Sequence, residues 1–327
     1  MDALGKLVVP DGVMEIRETI LDCIGETPLV ALDRFAPPKN GRGRVLGKVE
    51  FLNPYSVKDR PAAMMILEAE KRGDITPGRT TIIEATSGNT GIGLAMTCAA
   101  RGYDLVLCMS EAMSEERKKI LSALGARLEL TPKAEHTKGA RARALELLRE
   151  IPGSYYICQH HNADNVLAHT LGTAEELWRQ TDGKMAAFVA GLGTCGTLCG
   201  VSGALRRKGA AVHIVGIEPA EAPFYRTQHF EPHGIPGVVP GFLPENYDPD
   251  LIDEIVDVPS RTAWEAVREL ARKEGILVGP SSGATAWAAR ELASRPEFQG
   301  KRVVAVLADS GERYLSMPGL FEDRDEP

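Results

Sequence analysis

The chain of 327 residues has a net charge of −7, with 43% hydrophobic and 25% charged residues. This composition is typical of a soluble globular protein long enough for two domains, and the negative charge argues against a nucleic-acid partner. No apolar run reaches the roughly 18 residues of a membrane span and no leader pattern is visible, so we expect a cytoplasmic protein without a membrane partner.

The six cysteines lie mostly in apolar segments, where reduced cysteine packs as a small hydrophobic side chain. Cys195 and Cys199 are close enough in sequence to suggest a metal site, but no second pair of ligands accompanies them. We therefore predict packing roles for the cysteines and no bound metal.

The N-terminal region is weakly patterned. Residues 1–16 are compatible with an arm or a short helix that covers a neighbouring subunit, and the sequence does not decide between them. Apolar spacing predicts a helix that starts near Arg17 and ends at Gly25, followed by a strand over residues 29–32. Residues 37–43 are rich in turn-forming types and predict a linker.

The stretch 53–60 follows an apolar segment, residues 45–51, and opens an amphipathic run. An Asn-Pro turn, with Ser56 just ahead of a helix, would hold Lys58 at the mouth of a pocket. Desolvation there lowers the pKa of a lysine, so that its amine can attack an aldehyde carbon as a Schiff-base lysine does. Taken alone, the stretch favours a solvated lysine at a helix start, and only the two further loops reverse this preference.

A polar loop follows the β-branched run at residues 80–83. Its sequence, residues 84–95, passes from Thr, Ser, Gly and Asn into a helix of small residues. Such a turn directs backbone N–H groups and hydroxyls at one point, which suits the carboxylate of an amino acid.

A glycine-rich loop, residues 191–197, lies between an apolar strand at 186–190 and a helix that runs to about Lys208. A turn of this kind at a helix N-terminus binds phosphate. A lysine that binds an aldehyde, a carboxylate loop and a phosphate loop together indicate pyridoxal phosphate with an amino-acid substrate.

The same glycine-rich loop also fits the dinucleotide fingerprint G-x-G-x-x-G, and Glu218 ends the next strand at the expected distance. By itself this motif favours a nicotinamide-dependent dehydrogenase. Hydride transfer, however, gives no role to Lys58 together with residues 86–89. A sensor or binding module on the same fold would keep the phosphate loop but has no need of the lysine.

Strand and helix patterns alternate from residue 45 to 159, which predicts a parallel sheet with helices on both faces. The predicted strands are 80–85, 103–109, 127–130 and 155–159, and the predicted helices are 60–72, 90–101, 114–124 and 137–150. Strands at 186–190, 212–218 and 303–307 predict a second sheet that carries the phosphate loop. A cleft between two such domains is a usual place for a cofactor.

These motifs resemble the fold-type II family of pyridoxal-phosphate enzymes, and most closely its cysteine synthases, or O-acetylserine sulfhydrylases. The resemblance rests on residues 24–30, 58–60, 86–91, Gln159, 193–197, 275–284 and 310–316. It implies an α/β fold of two doubly wound domains with the cofactor in the cleft between them. The smaller domain would span residues 46–160, and the larger would combine residues 1–45 with 161–327.

The resemblance also implies the role of each site residue. Lys58 is expected to form the internal aldimine with pyridoxal 5'-phosphate and later to move protons at the substrate Cα. The expected cofactor contacts are Asn89 at the ring oxygen, Ser281 at the pyridine nitrogen, and Gly193, Thr194, Cys195, Gly196 and Thr197 at the phosphate. The expected substrate contacts are Thr86, Ser87, Gly88, Thr90, Gln159 and Gly237.

The implied reaction is β-replacement, in which an O-activated serine and sulfide give L-cysteine through an aminoacrylate. The family further implies a homodimer whose partners are a small amino acid and sulfide or another thiol. A cystathionine β-synthase-like core that uses homocysteine, or a relative that uses thiosulfate, stays open as an alternative.

Departures from the family pattern bear on the acceptor. The spacing from Asn53 to Lys58 is one residue shorter than usual, and Val239 replaces a glycine of the pocket-entrance loop. His160 stands where the family has an aromatic residue. It either packs beside the cofactor or orients an anionic nucleophile such as sulfide or thiosulfate.

Overall fold

The structure is a computed structural model that describes residues 16–86 and 88–322. The arm predicted for residues 1–16 therefore lies almost wholly outside the described residues, and so does the predicted substrate contact Ser87. The strands are β1 Leu29–Ala31, β2 Arg44–Val49, β3 Thr81–Ala85, β4 Asp104–Ser110, β5 Arg127–Thr131, β6 Ser154–Tyr156, β7 Met185–Gly191, β8 His213–Pro219, β9 Glu254–Val258 and β10 Arg302–Leu307.

The helices alternate with these strands. They are α1 Asp59–Arg72, α2 Asn89–Arg101, α3 Glu115–Ala123, α4 His136–Glu150, α5 Ala163–Ala168, α6 Ala174–Gln180, α7 Gly196–Arg207, α8 Phe224–Thr227, α9 Ser260–Glu274 and α10 Pro280–Ala293. Within the part of the chain that the structure describes, none of them combines the length and apolar character that crossing a membrane requires.

The described strands form two sheets, which confirms the predicted α/β fold. The larger sheet has the order β1-β2-β10-β7-β8-β9, and all its pairs are parallel except β1 with β2. The smaller sheet has the order β5-β4-β3-β6 and is entirely parallel. Parallel strands place their carboxyl ends at one edge, and the loops that leave this edge carry the site residues.

Both faces of each sheet are covered, as the continuous apolar runs require. On β10, Val303, Ala305 and Leu307 enter one core while Val304 and Val306 enter another on the opposite face. The same alternation on β3 sends Ile82 and Ile83 into two different cores. The two-residue period of a strand thus explains why valine and isoleucine fill these segments.

The division of the chain into domains stays a prediction. All four strands of the smaller sheet lie between residues 81 and 156, within the predicted smaller domain. Strand β2, which crosses the predicted boundary at residues 45 and 46, pairs with β10 in the larger sheet.

Two predicted elements differ from the structure. The helix expected from Arg17 to Gly25 is only a 3-10 turn, Ile20–Cys23, because Ile24 is extended and Gly25 takes a φ of 94° that no helix tolerates. The strand expected at 155–159 ends at Tyr156, since Cys158 has a φ of 55° and turns the chain out of the sheet.

Candidate active site

Lys58 directly precedes α1 in a tightly closed loop. The Asp59 carboxylate accepts hydrogen bonds from the backbone N–H groups of Tyr55 at 2.6 Å and Ser56 at 2.9 Å. The Lys58 N–H donates in turn to Ser56 Oγ at 3.2 Å. These bonds explain how a loop one residue shorter than the family pattern is held in a single conformation.

The environment of the Lys58 amine suits a nucleophile. Part of the side chain is open to a cleft, yet the protein surrounds it closely enough for desolvation to lower its pKa. The negative charges of Asp309 and Glu50 act in the opposite direction. A lowered pKa increases the fraction of neutral amine, which is the form that attacks a carbonyl or accepts a proton.

The cleft brings Lys58 together with most of the predicted cofactor contacts, although these are far apart in sequence. Its lining includes Lys58, Gly193, Thr194, Cys195, Thr197, Gly237 and Ser281. Gly196, the first residue of α7, is buried in the same loop. The structure therefore places the lysine opposite the N-terminus of a helix whose first N–H groups have no intrahelical acceptor.

The glycine-rich loop is shaped as a cradle. A Cβ on Gly193 would lie 2.5 Å from the Gly237 carbonyl oxygen, so only glycine allows the two loops to approach so closely. Cys195 has a φ of 62°, a conformation that costs about 1–2 kcal/mol for a residue with a side chain. Its thiol donates to the Tyr225 hydroxyl at 3.3 Å, and burial raises the thiol pKa to about 12. Cys195 therefore packs as an unreactive thiol. The Gly193 N–H donates to the Gly191 carbonyl at 3.2 Å, so an anion would be received by the N–H groups that follow it in the loop.

Thr197 is held by a buried histidine that sequence reasoning did not identify. Its hydroxyl lies 3.1 Å from His169 Nε2, and His169 Nδ1 lies 2.9 Å from the Thr173 hydroxyl. Burial lowers the pKa of His169 well below its usual value, so the ring is neutral. It fixes the threonine without adding a charge to the phosphate loop.

The predicted carboxylate loop joins β3 to α2. Within it, the Gly88 N–H donates to Thr86 Oγ1 at 3.4 Å. The Thr90 hydroxyl donates to Gln159 Oε1 at 2.6 Å, which brings the two predicted halves of the substrate site together. The Gln159 N–H donates to Glu84 Oε2 at 3.0 Å, and burial raises the pKa of Glu84 to about 7. Sequence reasoning did not assign this supporting role to Glu84.

Asn89 lies at the start of α2 between an acidic residue, Asp309, and a basic residue, Arg313. Sequence reasoning did not assign a site role to either of them. Asn89 Nδ2 donates to Asp309 Oδ2 at 2.7 Å, and Arg313 donates to Asn89 Oδ1 at 2.5 Å. Asp309 follows β10 closely, so its place at the carboxyl edge of a parallel sheet was the pattern by which it could have been found.

The dinucleotide interpretation of the glycine-rich loop fails at Glu218. This side chain is fully buried, and it accepts hydrogen bonds from the Tyr225 N–H at 2.7 Å and from Arg226 at 3.2 Å. A carboxylate bound to its own chain in this way is not presented to a ribose hydroxyl.

The His160–His161 segment lies beside the loop at residues 240–246. The His160 ring meets Phe242 edge to face with centroids 4.9 Å apart, and burial lowers the His160 pKa to about 4. His161 Nδ1 lies 2.6 Å from Glu245 Oε1. His160 is thus a neutral ring near pH 7, a state that supports packing or hydrogen bonding and not a charge.

In the described residues, no cluster of three or more His, Cys, Asp or Glu side chains could hold a metal ion.

Residues 20–309 match the family model described as pyridoxal-phosphate dependent enzyme. The chain is 45% identical over 308 residues to a probable cysteine synthase of Bacillus subtilis, covering 93% of this chain and 98% of that protein. Its fold is similar to the cysteine synthase (OASS) structure from Entamoeba histolytica, with a TM-score of 0.92 and 38% identity over 98% and 95% of the two chains. It is also similar to an O-ureido-L-serine synthase structure, with a TM-score of 0.90 and 41% identity over 96% and 98%.

Proposed function

The chain belongs to the pyridoxal-phosphate dependent enzyme family, and on this premise we propose that it makes L-cysteine from an O-activated serine, such as O-acetylserine, and sulfide. The observation that carries the proposal is the single cleft shared by Lys58, the glycine-rich loop and Ser281. Relatives named as cysteine synthases, at 45% identity over nearly their whole length, support the substrate pair.

The cleft fits the cofactor at both of its ends. Lys58 would hold the aldehyde end, and the N-terminus of α7, with residues 193–197, would receive the phosphate. Asn89 would contact the ring oxygen, and Ser281 would contact the ring nitrogen. When bound, pyridoxal phosphate supplies an aldehyde that bonds to amines and a ring that withdraws electrons from the attached carbon.

The neutral hydroxyl of Ser281 matters for the type of reaction. A carboxylate facing the ring nitrogen would keep it protonated and make the ring a strong electron sink. A serine leaves it less protonated, which favours loss of a group from Cβ over a long-lived carbanion.

The amino-acid carboxylate is received at the N-terminus of α2. Its proposed contacts are the hydroxyls and N–H groups of Thr86, Ser87, Gly88 and Thr90, with Gln159 and Gly237. Backbone N–H groups at a helix start carry partial positive charge and suit an anion. The buried Thr90–Gln159 bond supports this placement, because it ties both sides of the site to one geometry.

Lys58 is the proposed proton carrier. Its neutral amine, released when the substrate amine binds in its place, removes the Cα proton, and acetate leaves with the electron pair of its C–O bond. Sulfide then forms the C–S bond at Cβ, and Lys58 returns the proton to Cα. The balanced reaction converts O-acetylserine and sulfide into cysteine and acetate.

The acceptor is tested by varying both substrates. O-acetylserine, O-phosphoserine and serine are each supplied with sulfide, thiosulfate or homocysteine, and the amino-acid products are identified by mass spectrometry. We expect the fastest turnover with O-acetylserine and sulfide. A preference for homocysteine would instead indicate the cystathionine β-synthase-like alternative, which the relatives do not favour.

A related experiment tests His160. We expect His160→Phe to preserve the step that releases acetate, since a neutral ring is replaced by another ring of similar shape. If His160 orients the nucleophile, the variant slows only the addition of sulfide or thiosulfate, which stopped-flow mixing measures separately. If His160→Phe and the parent have the same rate in each of the two steps, His160 has a packing role.

We further propose a cytoplasmic homodimer divided into domains at residues 46–160 and 1–45 with 161–327. All six cysteines belong to the described residues and are unpaired, which suits a reducing compartment. Leu52 and Leu171 are 59% and 58% exposed, as side chains at a subunit contact would be in an isolated chain. Light scattering at several protein concentrations tests the dimer.

A further inference from the structure

Asp309 is a buried carboxylate beside the site that none of the proposed roles uses. Only 1% of its surface is exposed. Its backbone forms an antiparallel bridge with Ser56, and the Val57 N–H donates to the Ala308 carbonyl at 2.9 Å. The segment that leads into Lys58 therefore lies directly against Asp309. A carboxylate at such a position is costly unless its neighbours stabilise it, so those neighbours indicate its role.

The first neighbour is the Asn89 amide. A carboxylate at its nitrogen and the Arg313 guanidinium at its oxygen permit only one of the two flipped orientations of the amide. The amide nitrogen has two hydrogens, and Asp309 accepts one of them. The other is directed by the same bond and is the donor proposed for the ring oxygen of the cofactor.

The two carboxylate oxygens of Asp309 have different surroundings. Oδ2 accepts the Tyr314 hydroxyl at 2.6 Å in addition to Asn89. Oδ1 is buried and has no hydrogen-bond partner among residues 16–86 and 88–322. It abuts the backbone of Gly279, where an added Cβ would lie 2.4 Å away. Gly279 precedes Ser281 by two residues, so the carboxylate lies between the N-terminus of α2, which begins with Asn89, and the N-terminus of α10, which contains Ser281.

Lys58 is the cation that this carboxylate favours. Burial lowers the pKa of Lys58, and Asp309 opposes that effect more than any other charged neighbour does. Other charged or titratable groups face this region from several elements. They are Arg313 and Tyr314 after β10, Asp59 and Glu50 around α1, Cys195 before α7, the neutral rings of His160 after β6 and His169 after α5, and Arg117 of α3, which lies 5.8 Å from the centroid of the Tyr314 ring.

We propose that Asp309 is a positioning residue of the cofactor site, which holds Asn89 in its working orientation and keeps the nitrogen that joins Lys58 to the cofactor protonated. This inference rests on the function proposed above. A proton on that nitrogen withdraws electrons from the adjoining carbon and makes it a better target for the substrate amine. Asp309 thus supplies, from the lysine side, the electrostatic support that the neutral Ser281 does not give to the ring.

The test replaces the charge without changing the shape. Asp309→Asn keeps an oxygen that accepts from Asn89 and Tyr314, and the visible absorbance of the purified holoenzyme is titrated against pH. We expect the midpoint of the cofactor band to fall by about one pH unit, the size expected for one charge lost at close range in a partly buried site. Asp309→Ser, which introduces a smaller neutral side chain, is the substitute test if the asparagine variant does not fold. We expect its midpoint to shift in the same direction.

Glu312→Gln is the matched control, because it removes an equal charge from an exposed position of the same turn. Its midpoint stays at the parent value. Coincident midpoints for Asp309→Asn, Asp309→Ser and the parent would overturn the inference, even if all three make cysteine. A parent protein that binds pyridoxal phosphate but makes no cysteine would overturn the proposed function and leave this titration informative.

Discussion

The hydroxyl of Thr90 donates a 2.6 Å hydrogen bond to Gln159 Oε1, across 69 positions of the chain. Thr90 belongs to the first turn of α2, which follows β3, and Gln159 follows β6. Because β3 and β6 are neighbours in the smaller sheet, both residues reach the same edge. The side chains are 4% and 5% exposed, so little water competes for the bond.

We expect Thr90→Val to raise the KM for O-acetylserine about tenfold, because a buried hydrogen bond to the substrate site is lost. Cofactor affinity stays unchanged, since the phosphate loop is on another element. Steady-state kinetics measure the first quantity and fluorescence titration with pyridoxal phosphate the second. Thr97→Val is the control, since this buried hydroxyl donates within the same helix, to the Gly93 carbonyl, and not to Gln159. An unaltered KM in Thr90→Val would remove Thr90 from the substrate site.

Two substitutions in the glycine-rich loop, Gly193→Ala and Cys195→Gly, should affect cofactor affinity differently. Gly193→Ala places a Cβ 2.5 Å from the Gly237 carbonyl and should lower cofactor affinity at least tenfold. Cys195→Gly relieves the strain of a φ of 62° and should keep the affinity within about threefold, because the N–H groups of the loop remain. Equilibrium dialysis measures both. The reverse order of affinities would show that the cysteine side chain binds the cofactor.

Glu84 should make the stability of the protein depend on pH. Burial raises its folded pKa to about 7, whereas an unfolded glutamate titrates near about 4.3. The stability that protonated Glu84 contributes below the unfolded pKa is therefore lost as pH rises through 7, by about 2–3 kcal/mol between pH 5 and 8. Urea unfolding at several pH values should show this loss in the parent and a smaller one in Glu84→Gln. Glu312→Gln keeps the parent's dependence, and identical slopes in all three proteins would contradict the prediction.

A buried network of charges connects β2, α1 and α6. Glu176 accepts from Arg60 at 2.7 Å and from Lys48 at 2.6 Å, and Glu50 also pairs with Arg60. Although burial acts to raise the Glu176 pKa, these two cations lower it to about 2. Its contribution to stability is therefore present above about pH 4.3 and is lost only as pH falls toward 2.

Glu176→Gln leaves both cations with one carboxylate and should destabilise the protein by about 3 kcal/mol at pH 7. Glu175→Gln removes a neighbouring charge that is half exposed and paired with Lys208, and it should cost less than about 1 kcal/mol. Chemical denaturation of both variants measures the difference. Equal stability of the two variants would mean that the buried network contributes no more than a surface ion pair.

The parts of the structure that sequence predicted best are those with a strict local pattern. The three strands and three helices between residues 80 and 150 follow two-residue and 3.6-residue periods, and the sequence predicts their bounds to within about two residues. The 3-10 turn at Ile20–Cys23 was mistaken for a longer helix because apolar spacing does not reveal the positive φ of Gly25 and Glu26. Backbone conformation at such points is set by contacts with distant segments, such as the Asn53 side chain that accepts the Gly25 N–H.

The residues of the candidate site also fall into those that a local motif predicts and those that only the fold reveals. Lys58, Asn89 and the glycine-rich loop lie in motifs that carry their own chemistry, so they could be named in advance. Asp309, Glu84 and His169 contact predicted site residues that are 220, 75 and 28 positions away in the chain. Single residues of this kind gain meaning from the sheet order that brings strand ends together, which periodicity alone does not give.

The most direct test of the central claim is turnover by Lys58→Ala with O-acetylserine and sulfide. Lys71→Ala is the matched control, since Lys71 lies at the end of α1 with its side chain 72% exposed. Cysteine formation is followed by mass spectrometry after both proteins are saturated with pyridoxal phosphate. We expect turnover to fall at least a thousandfold in Lys58→Ala and to stay unchanged in Lys71→Ala. Parent-like turnover by Lys58→Ala would contradict the proposed mechanism.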